Sequence, residues 1–424
     1  MAAVFAATDE RSPDSDEKYK WNDYHDNVTK TLVARHPRAK MIISVNDDYT
    51  AKHTIKDDER IQRGKGLGNV PNEFFKPGDE FPSRVKFNKI LQKAENKIRL
   101  QECILNAIER KAQVSDVKFL YYRAGTCINA SNNMEEVAFL KFNHTEADTN
   151  MTAVYGALRD NGYTEPIVFD VADTDVYASA ASVAHRYPGE LFIKRVPGYV
   201  NCKTLVDHSM IDTIVPFHEF TRGDSTASFF GKGKGKLYDK VIKSDRAKEQ
   251  LEHLGEDLHL EEECIQELMK FTREVVYGDF QSRSMTESRA NKWRNQKNKS
   301  FCRLPPDEDS LRQKLKRANY TAYLALNPKL KDHPNPIGNG WLVENNLCRP
   351  EKYLSPPLPD MIRAQMTQGH EEMDVEETEN NNRIDCDDQN NPEYPESESE
   401  SEVGDEVEDN DSDDDLSDGY SDTD

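Results

Sequence analysis

Between residues 41 and 194 short apolar runs alternate with amphipathic stretches, and this alternation most narrows the folds open to the chain. Residues 41–45, 117–122, 137–142, 167–171 and 191–194 read as strands. Among them, Leu91, Ala94, Ile98, Leu105 and Ile108 mark one face of a helix over 87–113. Ala147, Met151, Val154 and Leu158 mark a second helix, and Val176, Ala180 and Val183 a third. Strands separated by helices need crossover connections, so the expected class is α/β, a parallel sheet flanked by helices. Residues 56–79, rich in Gly, Pro and charge, read as a loop, and no internal repeat is seen.

The flanks read differently. Residues 1–38 are polar and charged and are expected to form a flexible arm. Beyond Lys240 the sequence turns helical, with Leu260, Cys264, Leu268, Phe271 and Val275 on one face. Residues 282–299 are polar and basic and read as a linker, and 328–359 as Pro- and Gly-rich coil. Pro306 and Asp307 open a helix carrying Leu311, Leu315, Ala318 and Ala322. Charge sets the last segment apart: residues 371–424 hold 25 acids against one base, Arg383, whereas residues 1–370 hold 55 bases and 53 acids. The net charge of −22 therefore belongs to the tail. With few core-forming residues, the tail is expected to be disordered. The expected organisation is an arm (1–38), an α/β domain (39–245), a helical and coil extension (246–365) and a disordered acidic tail (366–424).

No run approaches the ~20 apolar residues of a membrane span. Residues 1–8 lack the basic start of a secretory signal, and the seven cysteines include no C-x-x-C pair. An intracellular chain with reduced thiols and no membrane partner is expected.

Acidic residues recur where strands end, the edge at which open parallel sheets place function. Asp47 follows the first strand. Glu146 and Asp148 follow 137–142, Asp173 and Asp175 follow 167–171, and Asp224 follows the apolar run 214–220, read together with the strands. Carboxylates converging in one cleft repel and hold protons unless a cation neutralises them. A hard divalent ion such as Mg²⁺ or Mn²⁺ suits such donors, and a pair of ions could activate water against a phosphodiester. The competing reading is local: acids favour the first turn of helices, and Thr145 with Asp148 has the form of a capping box.

Thr145-Glu-Ala-Asp-Thr149, Asp173-Thr-Asp-Val176 and Gly223-Asp-Ser-Thr226 with Phe229-Phe-Gly-Lys-Gly-Lys234 together resemble an uncharacterised family associated with repeat elements in animal genomes. Asn46-Asp-Asp-Tyr49, Ile55-Lys-Asp57, Leu304-Pro-Pro306, Lys316-Arg-Ala-Asn-Tyr320 and Gly338-Asn-Gly-Trp341 extend the similarity over residues 40–360. More distantly the blocks resemble the PIN-like fold of flap endonucleases. That resemblance implies Asp47, Glu146, Asp148, Asp173, Asp175 and Asp224 as catalytic metal ligands of a nuclease acting on flap or single-stranded nucleic acid. The first resemblance also implies a transposable-element-related or host-adopted protein. Arg222-Gly223 departs from the family's usual Gly-Cys, and the acidic tail stands where the family has a cysteine cluster. The rival reading is a catalytically silent PIN-like scaffold that binds protein or nucleic acid. A glycine-loop nucleotide binder is a weaker third, because Gly231-Lys-Gly-Lys-Gly235 lacks the spacing of a phosphate loop.

Two further segments carry expectations. Gly231, Lys232, Gly233, Lys234 and Lys236 could grip a nucleic-acid backbone, the glycines freeing N–H groups and the lysines attracting phosphate. The tail places serines beside acids, which suits phosphorylation and basic protein partners and favours the nucleus over the cytoplasm.

Overall fold

The stretch expected to be a loose arm is anchored in the computed structural model, which describes residues 19–353 apart from 52, 65–69, 124, 172, 196–197 and 298–299. Helix α1 (Trp21–Arg35) buries Trp21, Tyr24 and Val28 in an aromatic cluster with Phe75 and Phe87. Those few apolar residues fall on one helical face, and the many charges around them hid it. Residues 1–18 and the acidic tail, with the phosphorylation and partner expectations attached to it, lie outside the described residues.

Strand β1 (Met41–Ser44) follows, and then a short helix α2 (Asp57–Gly64) inside the stretch read as loop. The single helix expected over 87–113 is two, α3 (Arg84–Leu91) and α4 (Ala94–Ala112). Fully buried Asn96 explains the break: its Nδ2 donates to the Ile90 carbonyl at 3.0 Å, a group an unbroken helix would use itself. Strand β2 (Lys118–Arg123) pairs in parallel with β1 and then turns through Gly125, at φ +75°, into antiparallel β3 (Thr126–Asn129) and the two-residue β4 (Glu135–Glu136). The strand expected at 137–142 is thus displaced to β3, and Ala138–Leu140 form a 3₁₀ turn.

Helix α5 (Ala147–Asp160) leads to β5 (Ile167–Phe169), α6 (Thr174–Arg186), β6 (Leu191–Arg195) and β7 (Gly198–Asn201). Strands β5 and β6 are parallel, and β6 and β7 antiparallel. Among the described residues the strands form two small mixed sheets of four and three strands plus a hairpin, where one parallel sheet was expected. Ile167 packs against the apolar clusters beneath both sheets, joining their cores.

The apolar run 214–220 is helix α7 (Ile214–Arg222), not a strand. A short apolar run cannot be assigned by pattern alone; Pro216, which suits a helix's first turn and no central strand, is the signal for helix. Next come α8 (Lys234–Ile242), α9 (Asp245–Glu252) and α10 (Glu262–Phe271), the last extended by a π turn, Thr272–Val276. The stretch read as linker holds α11 (Met285–Asn295), whose Ser284 cap accepts from the Glu287 N–H at 3.1 Å. Helix α12 (Glu308–Leu326) starts at Asp307 as expected, its side chain accepting from Ser310 N at 2.9 Å. The coil expected over 328–359 contains a hairpin, β8 (Trp341–Glu344) and β9 (Leu347–Pro350), turned by Asn345 and Asn346 at φ 51° and 62°.

No domain boundary falls at residues 245–246. Phe217 and Phe220 of α7 share one core with Leu251, Leu268, Phe271, Leu311 and Leu315, and residues on both sides of that point belong to one compact unit. No helix among the described residues is long and apolar enough to cross a membrane.

Candidate acidic active site

Three chain segments meet beyond the end of β1, and backbone hydrogen bonds fix how they meet. Asp48 N–H donates to the Thr145 carbonyl at 2.8 Å, stitching the β1 exit to the approach to α5. Asp47 Oδ1 accepts from the Ala147 N–H at 2.9 Å, an orphan donor at the helix start, and Oδ2 accepts from the Tyr49 hydroxyl at 2.9 Å. Asp47 thus holds the start of α5 through Oδ1, while Oδ2 ties its own loop through Tyr49.

Glu146 is the N-cap residue of α5 and is 8% exposed. Lys56 Nζ lies 3.1 Å from Glu146 Oε2 and 2.9 Å from Asp224 Oδ2, bridging two distant parts of the chain. Lys56 is held at the entry to α2 because the next side chain, Asp57, accepts from Thr54 Oγ1 at 2.7 Å and from the Cys348 N–H of β9 at 3.1 Å. Glu146 Oε1 is buried with no hydrogen-bond partner.

The second acidic pair sits at the start of α6. Asp173 Oδ1 accepts from the Asp175 N–H at 3.0 Å, so this residue caps the helix, the local role weighed above. Asp175 Oδ1 lies 2.8 Å from His218 Nε2, and Lys234 Nζ lies 2.8 Å from His218 Nδ1. An ammonium can only donate, so Nδ1 accepts from Lys234 and Nε2–H donates to Asp175. Lys234 thus turns into the site instead of joining an outward row of lysines.

Asp224 follows α7 and is fixed from α12. Lys314 Nζ donates to the Ala227 carbonyl at 2.7 Å, Arg317 Nε to the Ser225 carbonyl at 3.2 Å, and Thr321 Oγ1 to Glu219 Oε2 at 2.7 Å. A Cβ at Gly223 would stand 2.2 Å from Glu219 Oε2, so a larger residue here would have to displace that carboxylate.

The result is a cavity of about 340 Å³ lined by Lys56, Glu146, Asp148, Asp175, Glu219 and Asp224, with Tyr320 and Thr321 on the α12 side. Asp47 lies behind it, lining an adjoining cavity of about 160 Å³, and Asp173 lies at its exposed edge. Each of the six carboxylates singled out in the sequence interacts electrostatically with at least one other. Burial, with neighbouring carboxylates adding to it, pushes Glu146 up to about 7 and Asp148 to about 8, despite Lys56. Burial also raises Asp173 and Glu219. For Asp175 burial opposes ionisation, but the hydrogen bond it accepts from His218 leads the effects that prevail, and its carboxyl is held below the usual range. Burial would neutralise Lys56, yet Glu146, Asp224 and Asp148 raise it well above an ordinary lysine.

The cleft is short of positive charge and stores protons, and it contains one buried carboxylate oxygen without a donor. Oxygen donors of this kind suit a hard divalent cation. Among the described residues, however, no three His, Cys, Asp or Glu side chains stand close enough together to hold an ion as they are. Lys56 occupies the place between Glu146 and Asp224.

The glycine–lysine run passes from a turn into the start of α8. Gly231 alone of its glycines has positive φ, +67°; Gly233 is the N-cap of α8 and Gly235 is helical. Lys232 Nζ lies 5.4 Å from the Tyr277 ring centroid, and Lys236 is exposed. Lys56, His218 and Glu219 were not assigned to the site in advance, and Lys234 was expected only to attract a nucleic-acid backbone. Lys56 stood inside a block noted for its resemblance, but a single lysine in a charged stretch carries no signal of convergence. No protein-family model, curated protein or solved structure matches the chain.

Proposed function

We propose that the chain is a divalent-metal-dependent nuclease, hydrolysing phosphodiesters of flap or single-stranded nucleic acid in the acidic cavity, with a PIN-like arrangement of its strands. The supporting observation is the gathering of Glu146, Asp148, Asp175 and Asp224 around one cavity, where two of them are pushed up to about 7 and 8. These four, with Asp173 at the edge, would hold Mg²⁺ or Mn²⁺. When bound, such an ion polarises a phosphoryl oxygen and lowers the pKa of water.

The chain's own groups divide the remaining work. Lys56 supplies the charge that keeps Glu146 and Asp224 together. His218, gripped at both nitrogens, sets the direction of Asp175. Burial pushes Asp148 up to about 8, so it holds a proton in the cleft that it would release to solvent on serving as a ligand. A transposable-element origin and a nuclear location belong to the same reading.

A catalytically silent scaffold is the second reading. It is favoured by one observation: the Lys56 ammonium already bridges Glu146 and Asp224, as a permanent counter-ion would. Incubation with flap and single-stranded DNA in Mn²⁺ separates the two. Asp173→Asn with Asp175→Asn keeps both the helix cap and a hydrogen-bonding group for His218, so the fold should survive. The nuclease reading requires cleavage by the wild type that the double variant loses. A wild type without cleavage on either substrate leaves the scaffold.

A further inference from the structure

The segment 282–303 holds seven Lys and Arg residues and one acid, Glu287, in a body whose residues 1–370 are otherwise nearly neutral. It had the composition of a linker, yet it is built. Asn291 Nδ2 donates to Ser282 Oγ at 3.0 Å, Arg289 donates to the Pro305 carbonyl, and Met285 is buried in the helical core. On this framework Trp293 of α11 stacks on Phe301, with ring centroids 4.8 Å apart and planes 20° from parallel. Phe301 nevertheless remains 71% exposed, so the stack has an open face. Phe280, 72% exposed, lies on the loop that Ser282 ties to α11. Lys292, Arg294 and Lys297 are exposed beside the stack in sequence.

Exposed aromatic rings cost free energy in water, and an apolar partner would be repelled by the desolvation of so many cations. A partner with flat π faces and one negative charge per unit satisfies both features at once. A duplex hides its base faces; a single strand presents them. Arg289 acts on Tyr277, whose ring lies under Lys232, and Lys232 belongs to the turn that follows the Asp224 loop.

We propose that the Trp293–Phe301 stack and the surrounding Lys292, Arg294 and Lys297 form a binding platform for single-stranded nucleic acid. The proposal deepens the nuclease reading, on which it rests for the fate of the bound strand, but binding itself needs no hydrolysis.

The chain carries three tryptophans, and Trp21 and Trp341 are 3% and 1% exposed, so tryptophan quenching by a ligand reports on Trp293. Full-length protein would be titrated with oligo(dT) in EDTA, following that quenching and the anisotropy of a fluorescein-labelled strand. Binding should quench the wild type, and Phe301→Leu, which keeps apolar bulk and loses the ring, should weaken it about 5- to 100-fold. Replacing Lys292, Arg294 and Lys297 with alanine should lower the slope of log K against log salt by up to ~2. Heparin, a polyanion without bases, should be indifferent to Phe301→Leu. Equal affinity of wild type and Phe301→Leu for oligo(dT), or equal sensitivity of heparin to that change, would overturn the platform. Binding without cleavage in Mn²⁺ would leave the platform standing and remove the nuclease reading alone.

Discussion

Replacing Glu146 with glutamine should stabilise the protein at alkaline pH and do nothing at acid pH. In the folded chain its carboxyl moves from 4.5 to about 7, with burial as the main cause. Unfolded, it has the ordinary value. Below 4.5 both states are protonated and no penalty exists. Between 4.5 and 7 the folded state keeps a proton the unfolded state has released, so stability falls as pH rises, and above 7 the penalty is complete. A displacement from 4.5 to about 7 corresponds to ~3 kcal/mol. For about 330 ordered residues at ~2.1 cal/mol/K each, that is roughly 4 °C in Tm. Thermal unfolding of wild type and Glu146→Gln in EDTA, at pH 4.5 and pH 8, should show Tm values that coincide at the lower pH and separate by about that much at the higher. Asp148→Asn should act in the same direction over the window from 3.8 to about 8. The two together should give less than their sum, because neutralising either carboxyl relieves the other. The reasoning fails if Glu146→Gln melts below wild type at pH 8, for then the ion pair with Lys56 outweighs the burial of the charge.

Three other outcomes are expected. Gly340→Ala should cost at least ~2 kcal/mol by urea unfolding, since the position has φ +88° and a Cβ would stand 2.7 Å from Arg317 Cγ and 2.8 Å from the Gln313 carbonyl oxygen. Lys314→Met should leave the unfolding free energy within ~1 kcal/mol of wild type or raise it, because burial holds that lysine well below 10.5, yet it should diminish any stabilisation by Mn²⁺, because the Ala227 carbonyl loses its donor beside Asp224. Trp21→Ala should destabilise by about 3–5 kcal/mol in calorimetry, a loss that a loose arm could not produce.

What the sequence revealed was mostly periodicity over long segments. The faces of α5, α6 and α12 and the Asp307 start were legible because each repeats an apolar residue every three to four positions. Short elements were not. Four apolar residues suit a strand or a helical turn equally, which is how α7 was mistaken and β3 overlooked. Acidic residues at the starts of α5 and α6 could be anticipated as neighbours, since both helices begin beside strand ends. Lys56, Lys234 and Lys314 could not. Their placement depends on long-range contacts, such as Asp57 with Cys348 and Lys314 with Ala227, that no local pattern encodes.

Helix α12 gives the candidate site an order of assembly during synthesis. Asp47, Glu146, Asp175 and Asp224 leave the ribosome well before Lys314, Arg317 and Thr321, which fasten the loop bearing Asp224, and before Cys348, which seats Asp57 beside Lys56. At ~5–20 residues per second, the interval from residue 224 to residue 348 is on the order of 10 s. A nascent chain exposing those carboxylates would lack the fastenings that complete the cleft, so the site closes only after residue 348 has emerged. A fragment ending at residue 245 would stay permanently in that unfinished state.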